Sequence, residues 1–436
     1  MTGRSARGAA TRYEVAIRRP EDGRVLVLAD RALPAFTVDA PPPWQVVTIV
    51  VDEMRARHGL DVAALRAAWI DEPRPGGTGP RRVYEAELIG GSPPAGSSWA
   101  DDADLGEELA PRIRPASGDR HPWYRPGWLA EMSGWIDERL AEAGIRRRDP
   151  IRQVRSWGRA ALLTFDTDRG HLWAKAVPDV FSHEVAVTEL LADIDPGIVP
   201  PVVAADRALG RIITEHVEGP TLAAIDDEPA VWAAALSRLA EIQRVLAAEP
   251  LALSVAGVAA APLGHLARSL PALLADDDLL RVDRPGGLSG AEAAELRAQI
   301  PALVEACGSL AASGVPDSLE HGDLAADEII IGQMGPVFLD WSDGSISHPF
   351  LSAALLLTDR AAPGDGTDAL ATAYLGPWLT AGHVTPATGR EALTLARTVL
   401  PLHLAALHAE RILPGLEQRW EMERVVPDAL RTILPG

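Results

Sequence analysis

His321-Gly-Asp-Leu-Ala-Ala-Asp-Glu-Ile-Ile-Ile331, followed by Val337-Phe-Leu-Asp-Trp-Ser-Asp343, decides how this 436-residue chain is read. Glu328–Trp341 is a strand-rich island in an otherwise helical half. It reads as a hairpin with Asp323 before it and Asp340 after it. Either aspartate alone would pass for a turn residue; together, the two strands hold two carboxylates near each other. The surroundings are acidic too. No Lys or Arg lies between Arg297 and Arg360, whereas Glu305, Asp317, Glu320, Asp323, Asp327, Glu328, Asp340, Asp343 and Asp359 all fall in that window. Such a concentration suits a site that holds a divalent cation.

Outward from the island, helical periodicity covers Val231–Ala248, Leu263–Leu274, Ser289–Ala312, Phe350–Thr358, Asp368–Leu379 and Thr388–Leu413. Ser289 with Glu292 and Thr388 with Glu391 have capping-box spacing. Pro301 and Pro401 predict a kink or a split within their helices. Upstream, Val154–Phe165 and His171–Val177 read as strands joined by the polar turn Asp166–Gly170. A helix over Phe181–Ala192 and strands over Val199–Ala204 and Arg211–His216 follow. Small sheet first, helices second, with a hairpin inserted, predicts an α+β chain. Before residue 150, Tyr13–Ile17, Val25–Leu28, Val46–Val51 and Val83–Leu88 read as strands, and Asp52–His58 as a helix capped by Gly59. Residues 90–122 read as a loop, and Pro126–Gly144 as an amphipathic helix with Trp128, Met132, Trp135 and Ile136 as packing anchors.

Composition sets the class. With 47% hydrophobic and 23% charged residues the chain is a folded one, and its length predicts two or three domains. A net charge of −20 speaks against a nucleic-acid partner, whose phosphates demand basic patches. It permits a cationic partner without requiring one. Of 41 basic residues only Lys175 is a lysine, and asparagine is absent. In a chain that uses arginine for nearly every cation, that lysine marks a place suited to a compact ammonium. Cys307, the sole cysteine, rules out an intramolecular disulfide and sits in an apolar helical run as a core residue. No stretch reaches the unbroken apolar length of a membrane span, and Met1–Arg12 lacks the apolar segment of a secretory signal. The expectation is therefore no membrane partner and a cytoplasmic location.

Phosphoryl transfer needs a carboxylate pair of this kind. One carboxylate positions or deprotonates the attacking hydroxyl, and the other holds the metal that bridges the nucleotide phosphates. Lys175, in strand-like Leu172–Val177, is placed to supply a cation, and Glu184 in the next helix could orient it through an ion pair. On these residues the second half, about 285 residues, resembles the aminoglycoside phosphotransferase and choline-kinase-like family. Its pattern is His-Gly-Asp-x-x-x-x-Asn, then an apolar-Asp-Trp segment after a hairpin, ending near Asp-Pro. The resemblance implies a two-lobed protein-kinase-like fold, with Asp323 as catalytic base and Asp340 as metal-binding aspartate. It further implies Lys175 as the phosphate lysine, Glu184 as its helix partner, and a mainly structural His321. Glu215, His216 and Val217 fall where the hinge contacts adenine through backbone groups, and Ser156 and Gly158 where a loop covers the phosphates. ATP with Mg²⁺ (Mn²⁺ as the alternative ion) is the implied cofactor set. A small-molecule alcohol, cationic ones included, is the implied acceptor. Three departures stand out: Glu328 replaces the family asparagine as second metal ligand, Ala325 replaces a common histidine, and His348-Pro349 replaces Asp-Pro. Two readings stay open, an active kinase and a catalytically degenerate pseudokinase that binds nucleotide or acts as a regulatory scaffold.

The segment Asp52-Glu-Met-Arg-Ala-Arg-His-Gly-Leu60 resembles the end of a Nudix box through Glu53, Gly59 and Leu60. The two metal-binding glutamates of that motif fall on Ala56 and Arg57. The resemblance implies a small α/β Nudix-like domain without hydrolase activity. The expected organisation is a tail over 1–11, the Nudix-like domain over 12–115, a linker and amphipathic helix over 116–150, a kinase N-lobe over 151–218 and a helical C-lobe over 219–436.

Overall fold

The computed structural model describes residues 10–71, 80–113, 121–225, 228–359, 366–416 and 418–435. Most of the expected tail, and residues 114–120 where the expected linker begins, lie outside them. The chain forms two compact units, Met1–Pro178 and Asp179–Gly436, each mixing helix and strand, so it is α+β as expected.

In the first unit, β1 (Thr11–Arg18), β2 (Val25–Val27), β3 (Ala35–Val38), β4 (Leu60–Ile70), β5 (Arg81–Gly91) and β6 (Ser98–Ala100) share one mixed sheet. Its order is β4-β5-β1-β2-β6, with β3 also on β1. The β1–β5 pair is parallel, and the other pairs are antiparallel. The expected strand Val46–Val51 is mostly helix, because α1 (Thr48–His58) starts inside it. β-Branched residues tolerate a helix when one face finds a core, and α1 buries Val50 and Met54 four apart. Gly59 caps α1 in the left-handed conformation at φ 64°, as expected. Arg57 pairs with Glu53 along the same helix. No element was expected over Leu60–Ile70, since its alanine-rich run lacks a period of two. It is nonetheless an 11-residue strand, buried over most of its length between neighbours and irregular in register at three points. The expected loop 90–122 contains β6 and α2 (Gly106–Ile113). Helix α3 (Trp128–Glu142) buries Trp128, Met132, Trp135, Ile136 and Leu140.

The first unit ends in an antiparallel meander of β7 (Arg152–Trp157), β8 (Ala160–Thr167) and β9 (Gly170–Ala176). The expected single strand Val154–Phe165 is thus two strands that reverse at Gly158-Arg159.

In the second unit, α4 (His183–Ile194) precedes the β10 (Val202–Asp206)–β11 (Arg211–Glu215) hairpin. Helices α5 (Pro229–Ala247), α6 (Pro250–Val255), α7 (Leu263–Ala275), α8 (Gly290–Ala298) and α9 (Ile300–Ala311) follow, with β12 (Ala259–Ala260) between α6 and α7. Ser289 and Glu292 close the expected capping box of α8, and Pro301 opens α9, which splits the expected helix in two. Then come β13 (Ser318–Glu320), β14 (Ile329–Gly332), β15 (Gly335–Phe338) and β16 (Ser345–Ser347), and helices α10 (Phe350–Asp359), α11 (Gly366–Thr380) and α12 (Pro386–Leu407). Helix α12 starts earlier than expected, with its capping box formed by Thr385 and Thr388 in place of Thr388 and Glu391. It runs unbroken through Pro401, passes through a π-helical turn at His408–Ile412 and continues into α13 (Leu413–Gly415); α14 (Val425–Arg431) closes the unit. The whole of Pro386–Gly415 is long and apolar enough to cross a membrane, which corrects the expectation that no stretch reaches that length. Its most apolar window is 61% buried inside the protein, as in a core helix.

Candidate active site

The second unit places the two motif aspartates by strand register. Strands β13 and β16 are antiparallel with Glu320 opposite Ser345. The segment leaving β13 therefore carries Asp323 from the same end at which the segment carrying Asp340 enters β16. Between them, β14 and β15 form a hairpin with Ile329 opposite Phe338. Leu339 N–H donates to Glu328 O at 2.9 Å, which closes the hairpin base beside Asp340.

The two segments are tied directly. His321 Nε2 lies 2.9 Å from Leu339 O. A carbonyl only accepts, so Nε2 carries the hydrogen and Nδ1 is left to accept the Asp323 N–H at 3.4 Å. The His321 ring also packs on Trp341, with centroids 4.5 Å apart. Complete burial holds the imidazole below its usual pKa. A neutral ring with both nitrogens engaged in the backbone is the structural role expected for His321. Gly322 sits at φ +82°, where a Cβ would stand 2.5 Å from Asp343 O. Only glycine lets the two segments approach so closely. Asp323 is exposed, whereas its neighbours His321, Gly322 and Leu324 are buried.

Asp340 adopts the left-handed region at φ 56°, ψ 63°, an uncommon conformation for a non-glycine residue. Ser342 Oγ donates to Asp340 Oδ1 at 2.7 Å. Glu328 and Asp340 are both half-buried. Among the described residues no group of three or more His, Cys, Asp or Glu side chains gathers as a metal cage. The acidic window is thus not one cluster: Glu320 is turned into the interior, where it meets His403. Mg²⁺ needs no such cage, since it takes one or two carboxylates and fills its other positions with water and phosphate oxygens.

The second unit also brings residues 215–217 towards this hairpin. Ile331 N–H donates to Pro220 O at 2.9 Å, and Thr221 bridges to Ile330. Val217 packs beside Gly332. Glu215 N–H is engaged by Pro201 O at 2.9 Å, and Glu215 and His216 are exposed. Glu184 is buried in the first turn of α4.

In the first unit, Lys175 is half-buried on β9, opposite Leu162 of β8. Gly158 lies in the β7–β8 turn. Ser156 differs from its expected part as a phosphate contact. It is fully buried, its N–H donates to Gln45 O at 3.1 Å and its hydroxyl to Leu65 O at 2.5 Å. Strand β7 is clasped further by Gln153, whose side chain bonds both Ala64 N–H and Ala64 O at 2.8 and 2.9 Å. Trp123 Nε1 donates to Trp157 O at 2.9 Å. Strand β7 is thus covered by β4 and the segment before α1.

Four further residues take parts that the sequence alone does not signal. Arg411, on the π-helical turn, donates to Gly344 O at 3.0 Å and Val180 O at 3.1 Å, and lies 2.9 Å from His183 Nδ1. Gln243 Nε2 donates to Leu319 O at 2.9 Å and takes the Tyr374 hydroxyl on its oxygen at 2.7 Å. His403 and Glu320 pair across 83 positions of sequence. The π-turn around Arg411 and the non-helical spacing of His403 and His408 leave no periodic signal. Cys307 is buried, and burial pushes its thiol up to about 11, in keeping with a core residue.

No protein-family model matches the chain, and no curated protein does. Solved structures do. The structure of APH(2")-IIia with GDP and kanamycin is 18% identical, covering 70% of this chain and 97% of its own, at a TM-score of 0.47. The macrolide 2'-phosphotransferase MphH of Brachybacterium faecium is 17% identical over 67% of this chain and 98% of its own, at 0.44. An ethanolamine kinase of Plasmodium vivax is 12% identical over 76% and 94%, at 0.47.

Proposed function

We propose that the chain is an ATP-dependent phosphotransferase acting on a hydroxyl of a small molecule. The observation that carries this is the tie between the Asp323 and Asp340 segments, through His321 to Leu339 and Gly322 against Asp343. It puts one exposed carboxylate and a second, the latter in a constrained backbone, on two segments that are held together. In this reading Asp323 accepts the proton of the attacking hydroxyl. The hydroxyl oxygen bonds to the γ-phosphorus as the bond to the β–γ bridging oxygen breaks, and the nucleoside diphosphate leaves. Asp340 and Glu328 would hold Mg²⁺, which when bound neutralises charge on the phosphates. Lys175 and Glu184 each keep the part that the resemblance implies for them. The acidic window favours an acceptor that carries positive charge.

The test is ATP consumption across amino sugars, choline-like alcohols and neutral sugars, with Asp323→Ala as control. Loss of a general base costs roughly 10²–10⁴-fold in rate. Unchanged turnover in Asp323→Ala refutes the assignment. Glu328 in place of the family asparagine favours the second reading, a nucleotide-binding pseudokinase. A thermal shift with ATP and Mg²⁺, but no turnover with any acceptor, selects it.

A further inference from the structure

We infer that Glu320 is a positioning residue for Asp323, held by His403; the inference rests on the phosphotransferase reading of Asp323. Glu320 ends β13, three residues before Asp323, and is fully buried, as is His403 on α12. An ionised carboxylate can only accept hydrogen bonds, and a buried one is costly unless its lone pairs are met. Here they are met from four directions. Glu320 Oε1 accepts the Gly322 N–H at 2.9 Å and the Ser352 hydroxyl at 3.4 Å. Glu320 Oε2 faces His403 Nε2 at 3.2 Å and the Ser345 hydroxyl at 3.4 Å. Ser352 Oγ in turn accepts the His321 N–H at 2.9 Å.

Gly322 N–H belongs to the His321–Gly322 peptide, which leads into the left-handed turn at Gly322 just before Asp323, and Glu320 fixes that peptide's orientation. Ser345 begins β16 just after the Asp340 segment, so the same carboxylate touches the base of both segments. Asp323 itself projects from the buried loop. Its placement thus depends on backbone held from below, by Glu320 through Gly322 and by Ser352 through His321. A side chain that merely filled this space would need no charge. A carboxylate whose acceptors converge on the loop, with a histidine opposite, orients it. His403 donates from α12 and links the loop to the longest helix of the unit.

The experiment uses the full chain with Glu320→Gln, His403→Gln and the double variant. Measured quantities are kcat, KM for ATP, the ATP–Mg²⁺ thermal shift, and hydrogen exchange of the peptide over 320–325. Misplacing a reacting group by about 1 Å costs roughly 100-fold. We expect kcat to fall about 10–100-fold while KM for ATP stays within about twofold. Amide exchange at Gly322 and Asp323 should quicken. The double variant should be no worse than the more severe single, because one pair is being broken twice. Equal kcat and unchanged exchange in both single variants overturn the inference. If Glu320→Gln fails to fold, His403→Gln decides alone by the same criteria. An Asp323→Ala chain that still turns over ATP and acceptor removes the phosphotransferase reading itself. A dead Asp323→Ala with a normal Glu320→Gln removes only the positioning role.

Discussion

Replacing His348 with asparagine isolates a pH-dependent contribution to stability. His348 is buried before α10, and its Nδ1 accepts the Phe350 N–H at 3.3 Å. The neutral ring therefore carries its hydrogen on Nε2, which donates to Ser313 Oγ at 3.0 Å. Burial holds the imidazole down to about 3. In the unfolded chain it titrates near its ordinary value of about 6.5. Between those two values the unfolded state binds a proton that the folded state refuses, so stability rises with pH and is lost on acidification. From pH 8 to pH 5 the loss attributable to this ring is ~2 kcal/mol, from a slope of about 1.4 kcal/mol per pH unit below 6.5. Asparagine keeps an acceptor for Phe350 N–H and cannot titrate. Its stability relative to the parent should therefore improve by ~2 kcal/mol over the same pH range, whatever it loses at pH 8. His321, also held below its usual value by burial, is common to both chains and cancels in the difference. Urea unfolding followed by circular dichroism at several pH values between 8 and 5 measures it. Parallel pH profiles for the two proteins would refute the reasoning.

Gly322→Ala must place a Cβ against Asp343 O at a positive φ; we expect an unfolding penalty of ~1–3 kcal/mol and a fall in kcat of about 100-fold, read by urea melts and turnover. Gln153→Leu removes both bonds to Ala64 and orphans its N–H and carbonyl, at about 1–3 kcal/mol for each buried group left unmade; a urea midpoint within error of the parent would contradict the clasp. Arg411→Met strips the donors from Gly344 O and Val180 O. Destabilisation of about 1–3 kcal/mol per orphaned carbonyl should appear in the same melts, with an unchanged midpoint as the contrary result.

Much of the second unit was legible because its signals are local. Apolar spacing gives α5, α7 and α10, the Ser289–Glu292 box opens α8, and alternate hydrophobics flank the turn between β14 and β15. The aspartate motif could be read for the same reason, since Asp323 and Asp340 flank one hairpin. What escaped depends on distant partners. Strand β4 is alanine-rich and becomes a strand only because β5 and the clasp on β7 receive it. Val46–Val51 has the propensity of a strand but is drawn mostly into α1 by the core that Val50 and Met54 enter. Ser156 looked like a loop donor until β4 supplied Leu65 O. Glu320 looked like one more acid in an acid-rich window, and only the return of α12 with His403 gives it an interior role.

The left-handed backbone at Asp340 bears on how its carboxylate should be removed. Aspartate and asparagine enter that conformation several times more readily than other side chains, whereas a residue without a local polar group meets a cost of roughly 1–2 kcal/mol there. Alanine at this position therefore changes two things together, the loss of the side-chain oxygens and the loss of a tolerated backbone angle. Asparagine changes the charge and leaves the turn. A chain whose Asp340→Ala form is inactive while its Asp340→Asn form retains metal-dependent activity would owe the defect to the turn and the lost oxygen together, and not to the missing charge.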